Sequence, residues 1–165
     1  MSALDILTWP DARLAQVCAP VADAGDIANL ADDMFQIMYR AQGRGLAGPQ
    51  VGLMQRVFVM DAGWKVDNWS PRTCINPEII ARSKTTQIGP EGCLSMPGVT
   101  AQVTRHEMIT LGYMDLWGDR QSVDLTGAEA IIAQHELDHL DGVMHFDRLD
   151  AAAKALLLAQ YEGQA

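Results

Sequence analysis

The sequence has only three cysteines, Cys18, Cys74 and Cys93, in 165 residues, and aromatic side chains make up only 6% of it. An odd, sparse set of cysteines does not make a disulfide framework and points to reduced thiols in a cytoplasmic protein. Basic residues are also scarce: 12 Lys and Arg stand against 21 Asp and Glu, for a net charge of −9. No Lys/Arg run occurs, so neither nucleic acid nor an anionic membrane is an expected partner, and the acidity reads as solubility. Nothing approaches the roughly 18 continuous apolar residues of a membrane helix. Met1 to Pro10 lacks a basic stretch followed by an apolar one, so no export signal is expected. The segment 151–165 carries Lys154 as its one base, so no basic tail for ribosomal RNA is visible.

What is present is ordinary globular material. Hydrophobic residues account for 48% and charged residues for 20%, enough to build a core in one domain spanning residues 1–165. Asp26 is placed to cap a helix running to about Gln42, with Ile27, Leu30, Met34, Ile37 and Met38 at helical spacing, and Gly43 and Gly45 to stop it. Arg56–Met60 reads as a buried strand, and Thr73–Ile80 holds at least one more, interrupted at Pro77. Val99–Arg105 and Met108–Leu116 read as strands, and Gly118-Asp119 turns the chain into Gln121–Leu125 as a hairpin. Thr126 and Glu129 have the spacing of a capping box, predicting a helix to about Asp141 before Gly142. A short helix over about Ala152–Tyr161 follows. Strands in the middle and helices near the ends imply an α+β fold: mostly antiparallel sheets around a central helix, with an N-terminal helix and a short C-terminal one.

That central helix carries His135-Glu136-Leu137-Asp138-His139, an HExxH motif. Residues i and i+4 share a helix face, so both imidazoles can reach one divalent ion, with Glu136 beside a water bound to it. A hydrolytic site of this kind needs a third protein ligand, and three candidates exist. Glu162 lies 23 residues after His139, in the C-terminal tail. His145, with Gly142 between, matches HExxHxxGxxH of the metzincin proteases, although no methionine follows Met144 to form their methionine turn. Cys93 lies upstream, in Glu91-Gly92-Cys93-Leu94-Ser95.

Taken together, three ordered motifs resemble peptide deformylase: Gly43-Arg44-Gly45-Leu46-Ala47-Gly48-Pro49-Gln50 for GxGLAxxQ, Glu91 to Ser95 for EGCLS, and Gln134 to Gly142 for QHExDHLxG. Residues 6–14 and 146–149 are similar to the family's opening and ending. The resemblance implies that Cys93, His135 and His139 hold one divalent metal ion, Fe(II) in the family and replaceable by Zn(II) or Ni(II). It implies Glu136 as the base, with the side-chain amide of Gln50 and the backbone N–H of Leu94 as oxyanion donors. The implied substrate is an N-formylmethionyl nascent peptide, lying extended beside residues 43–46. Arg44, Gly45, Glu91, Ile131 and Ile132 would line its binding cleft with His135, and formate would be released. Transient proximity to the ribosome is compatible with this.

The sequence departs from the family at four positions. Arg44 replaces an aliphatic residue, Gly48 stands where alanine is frequent and should loosen the loop, Thr100 stands where many members carry arginine, and His145 replaces Phe or Tyr. None is a ligand, the base or Gln50, so hydrolysis is expected to survive, with Arg44 weakening or redirecting peptide binding. A diverged, non-catalytic formyl-peptide or metal binder is the rival class, and it gives no reason for Glu136.

Overall fold

Val57, Phe58, Val59 and Met60 are all fully buried, because their strand is covered on both faces. Alternation along a strand sends Val57 and Val59 one way, into a cluster with Ile27, Ala31, Met34 and Met38, and Phe58 and Met60 the other, against Ala130, Ile132, Ala133 and Leu140. The computed structural model describes residues 4–164. Its elements are α1 (Ala28–Arg40), β1 (Gly45–Ala47), β2 (Val57–Met60), β3 (Arg72–Arg82), β4 (Thr86–Cys93), β5 (Met96–His106), β6 (Met108–Met114), β7 (Arg120–Thr126), α2 (Gly127–Leu140) and α3 (Ala151–Glu162). One antiparallel sheet has the order β1-β2-β3-β6-β7, and β4 and β5 form a separate antiparallel pair. Helix α2 touches β1, β2, β6 and β7 of the first sheet and β5 of the second, so the predicted α+β arrangement around the HExxH helix is observed. Met96, Val99 and Val103 of β5 pack with Leu14, Met144, Phe146 and Leu157 of α3 in a third cluster. Among the described residues no helix is long and apolar enough to cross a membrane.

The differences from expectation lie at element ends. Asp26 does not cap α1; it belongs to a 3-10 turn whose cap is Asp23, accepting from Gly25 N at 2.8 Å, and the N-cap of α1 is Ile27, with no side-chain bond. Nor do the glycines stop α1. Gln42 takes the left-handed conformation (φ 61), and the amide of Gly43 donates to Met38 O at 2.9 Å. Thr126 is the N-cap of α2, but the capping box does not form: Gly127 enters the helix left-handed (φ 56), and Glu129 faces Arg72 at 3.8 Å. Pro77 does not divide its strand. β3 runs through it with a register shift between Ile75 and Glu78, and Asn76 (φ 48) clamps both backbone polar groups of Val21 with its side-chain amide. Two strands carry little sequence signal: β1 is three residues long, and β4 contains Gly89, Pro90 and Gly92 and owes its conformation to pairing with β5.

Candidate metal centre and active site

The pairing of β4 with β5 ends at Cys93 opposite Met96, so Leu94-Ser95 is a two-residue turn that presents the thiol from a strand end. Helix α2 passes this turn with His135 and His139 one helical turn apart, their rings edge-to-face at 5.0 Å. One ligand atom from each of Cys93, His135 and His139 lies within 4.8 Å of the other two, and all three residues are buried. Cys93 Sγ is 3.4 Å from His139 Nε2. Thiolate sulfur and imidazole nitrogen suit zinc or iron and leave a position open. Two buried atoms with no partner among the described residues, Glu136 Oε2 and His139 Nδ1, adjoin the set. The donor chemistry and the unpaired Glu136 oxygen fit a divalent ion.

His135 is oriented by a chain of charges. Its Nδ1 bonds the Glu91 carboxylate at 2.8 Å, which leaves Nε2 for a metal. Glu91 accepts twice from Arg105, at 2.9 Å each, Arg105 donates to Asp138 at 2.6 Å, and Asp138 accepts a further fork from Arg148. Burial alone would raise the Glu91 carboxyl, but the bonds from His135 and Arg105 outweigh it and hold it at about 2. Burial likewise works against charge on His135, yet its bonds to Cys93 and Glu91 keep its pKa well above the ordinary value. A metal entering there must displace a proton. His139 goes the other way, driven well down by burial and by His135, and is neutral as a ligand must be. Burial pushes Glu136 up to about 7, a range in which a carboxyl can both take and return a proton at neutral pH.

Gln50 stands on a 3-10 turn (Gly48–Val51), where its Oε1 accepts from Ala47 N at 2.9 Å and its Nε2 donates to Ser95 Oγ at 3.0 Å, 3.7 Å from Cys93 Sγ. The turn is tight: a Cβ at Gly48 would lie 2.6 Å from Leu53 O and 2.8 Å from Gln55 O. The expectation that Gly48 loosens the loop is therefore wrong, since it permits a closer backbone approach. Gly45 likewise permits a close approach, whereas at Gly43 the neighbour is the end of a leucine side chain. A Cβ on Gly43 would meet Leu94 Cδ1 at 2.7 Å, and one on Gly45 would meet Glu136 Oε1 at 2.5 Å.

A cleft of about 360 Å³ opens beside Cys93 and His135, and Arg44, Gly45, Gln50, Glu91, Leu94, Ile131, Ile132 and Glu136 all line it. The structure thus brings together Cys93, His135 and His139 with the other residues that the resemblance implies for the site. Glu91 also does more than line the cleft, because it orients His135. Two rival ligands fall outside. Glu162 is exposed at the end of α3, beside a different cleft with Trp9 and Pro97. His145 is buried, 5.9 Å from the His135 ring, with neither ring nitrogen bonded among the described residues, and burial holds its pKa down at about 4. It packs against the site and is not among the clustered ligand atoms. Thr100 is exposed on β5 and does not line the cleft. Sequence reasoning missed Arg105, whose partners lie on two other elements, and Arg148, which meets Asp138 across the end of α2. It also missed Lys65 at the cleft mouth and Asp138, visible in the motif but without a role until Arg105 met it.

The polypeptide deformylase family model matches residues 3–155. The chain is 47% identical over 150 residues to a peptide deformylase of Alkalilimnicola ehrlichii, covering 90% of this chain and 83% of the relative. It is 41% identical to peptide deformylase 2 of Xanthomonas campestris, covering 95% and 93%. Among solved structures, the peptide deformylase of Ehrlichia chaffeensis in complex with actinonin superposes with a TM-score of 0.91 at 33% identity, over 99% of this chain and 98% of the other. That of Thermus thermophilus gives 0.88 at 38% identity, over 96% and 93%. The agreement spans the helix with its two histidines, the strand end with its cysteine and the glycine-lined cleft between them, and the chain belongs to the polypeptide deformylase family.

Proposed function

We propose that the whole chain, as one catalytic domain, removes the formyl group from N-formylmethionyl peptides with the following division of labour. Cys93, His135 and His139 hold one divalent ion, Fe(II) by family resemblance, with Zn(II) or Ni(II) as substitutes. When bound, that ion supplies Lewis acidity and brings the pKa of a water toward about 7. Glu136 takes a proton from the attacking water and returns it to the departing nitrogen. A C–O bond forms to the formyl carbon, the C–N bond then breaks as its nitrogen is protonated, and formate and a free α-amine leave. The Gln50 amide and the Leu94 N–H meet the negative charge that develops on the formyl oxygen. The peptide extends along β1, the edge strand of its sheet, and the methionine side chain enters between Ile131, Ile132 and Glu91. Cytoplasmic location and proximity to the ribosome, without direct contact to RNA, go with this reading.

The observation that carries it is Glu136 Oε2: a carboxylate oxygen buried at the ligand cluster with no partner among the described residues. Leaving such an atom unpaired is costly, and a module that only binds gains nothing by it. The test is formate release from formyl-Met-Ala peptides by metal-loaded protein. Glu136→Gln is expected to keep one metal per chain and lose about 100-fold to 10,000-fold in kcat. Cys93→Ala should lose the metal and His145→Ala should keep it. Wild-type protein with metal bound but no turnover would favour the binder instead.

A further inference from the structure

The cleft mouth carries two cations that the reaction described above does not use. Arg44 lies between the two glycines of the peptide-binding edge, and Lys65 lies in the 3-10 turn Trp64–Val66; both are exposed and both line the cleft. They come from segments about 20 residues apart but are tied together, because Trp64 Nε1 donates to Gly43 O at 2.8 Å. The Lys65 loop is itself braced. Asp61 accepts from Tyr39 OH at 2.7 Å and from Ser70 N at 3.0 Å, and the Tyr39 ring packs edge-on against Trp64 and Trp69. Lys65 Nζ sits 5.7 Å from the Trp64 ring centroid. Among the described residues neither Arg44 nor Lys65 has an ion pair. The carboxylates that line the same cleft are not available to them: Glu91 is buried and engaged by Arg105 and His135, and Glu136 is buried beside the ligands. In a chain with a net charge of −9, two unpaired cations on one rim make a local field of the opposite sign.

We propose that Arg44 and Lys65 select peptides that carry a carboxylate one to three residues beyond the formylated methionine. This rests on the reading of the cleft as the formyl-peptide site. The methionine is held deep beside Ile131 and Ile132, so the following residues leave past the Gly43–Gly45 edge and come under both cations. The carboxylate has two sources, an acidic side chain or the free C-terminus of a short peptide. The guanidinium of Arg44 can grip it with two parallel bonds, and Lys65 acts as a point charge. Exposed pairs of this kind are weak singly, so the expected effect is about threefold to tenfold in kcat/KM, falling as salt shortens the screening length to about 3 Å at 1 M.

The experiment compares kcat/KM for formyl-Met-Asp-Ala amide with its isostere formyl-Met-Asn-Ala amide, and for formyl-Met-Ala-Ala free acid with its amide. Both comparisons are run at low and high salt on wild type, Arg44→Gln, Lys65→Gln and Arg44→Glu. The acidic member should lead in at least one pair, and which pair identifies the source. Each neutral substitution should shrink the ratio, 1 M salt should bring it near one, and Arg44→Glu should invert it. Each ratio is internal to one protein, so a loss of folded material in one variant does not disturb it. Ratios near one in wild type for both pairs, or ratios indifferent to both cations, would overturn the proposal. Absence of formate from every peptide would overturn the deformylation reading and this inference with it.

Discussion

Gly45 sits where a side chain would strike Glu136, the proposed base. Its missing Cβ is what lets β1 pass 2.5 Å from Glu136 Oε1 and 2.8 Å from Ile132 Cγ2, as measured from the position a Cβ would take. Neither obstacle is the free end of a surface side chain, so Gly45→Ala must displace the carboxylate or the strand. A shift of about 1 Å in a catalytic group costs roughly 100-fold, and that is the expected loss in kcat. Metal content should stay normal, since none of the three ligands is touched. Steady-state kinetics with metal analysis separates the two effects, and an alanine variant with normal kcat would show that Glu136 tolerates the shift.

At the scale of elements, the link between β4, β5 and α2 is ionic as well as covalent. Arg105 on β5 joins Glu91 on β4 to Asp138 on α2, and both Arg105 and Glu91 have side chains only 5% exposed. The three elements that supply the proposed metal ligands and the group that orients His135 are thus held in register by one guanidinium. Arg105→Met keeps the length of the side chain but removes the buried cation the two carboxylates share, leaving Glu91 with His135 and Asp138 with Arg148, a loss of up to about 3–5 kcal/mol. Losing the fixed orientation of His135 should also weaken metal binding about 10-fold to 100-fold. Denaturant midpoints and metal competition against a chelator measure the two losses. Unchanged affinity in a folded variant would mean that Glu91 orients His135 without help.

For the whole molecule, stability should fall at both ends of the pH scale for separable reasons. The bond from Arg13 holds the Asp11 carboxyl at about 2, below the ordinary 3.8, so its contribution is complete above about pH 4 and fades as pH falls toward 2. Tyr39 is the opposite case. Burial, and then the bond it donates to Asp61, raise its phenol well above the ordinary 10, so its contribution is intact below about pH 10 and is lost as pH rises beyond it. Thermal melts of wild type and Tyr39→Phe from about pH 7 to 11 check this. The variant should be less stable at neutral pH, and the gap should narrow above about pH 10.

The sequence by itself determined the parts whose chemistry is local. His135, Glu136 and His139 share a helix face because helical spacing requires it, β6 and β7 make a hairpin around Gly118, and the middle of the chain is strand. Ordered motifs added Cys93 and Gln50, although composition and spacing alone left Glu162 and His145 open as ligands. Tertiary structure decided everything that depends on distant segments meeting. It set Cys93 beside His139 by ending β4 at a two-residue turn, and it turned His145 into a packed neighbour. It gave Gly45 and Gly48 a role through close approach to Glu136, Ile132 and the carbonyls of Leu53 and Gln55, where local reading saw a helix stop and a slack loop. The capping box failed for the same reason, since Glu129 lies opposite Arg72 on β3. Arg105 could not be told from a surface arginine until β4, β5 and α2 closed around it. Periodicity and motif chemistry act along the chain, whereas charge pairing, close backbone approach and the placing of Arg44 and Lys65 on one cleft act across space.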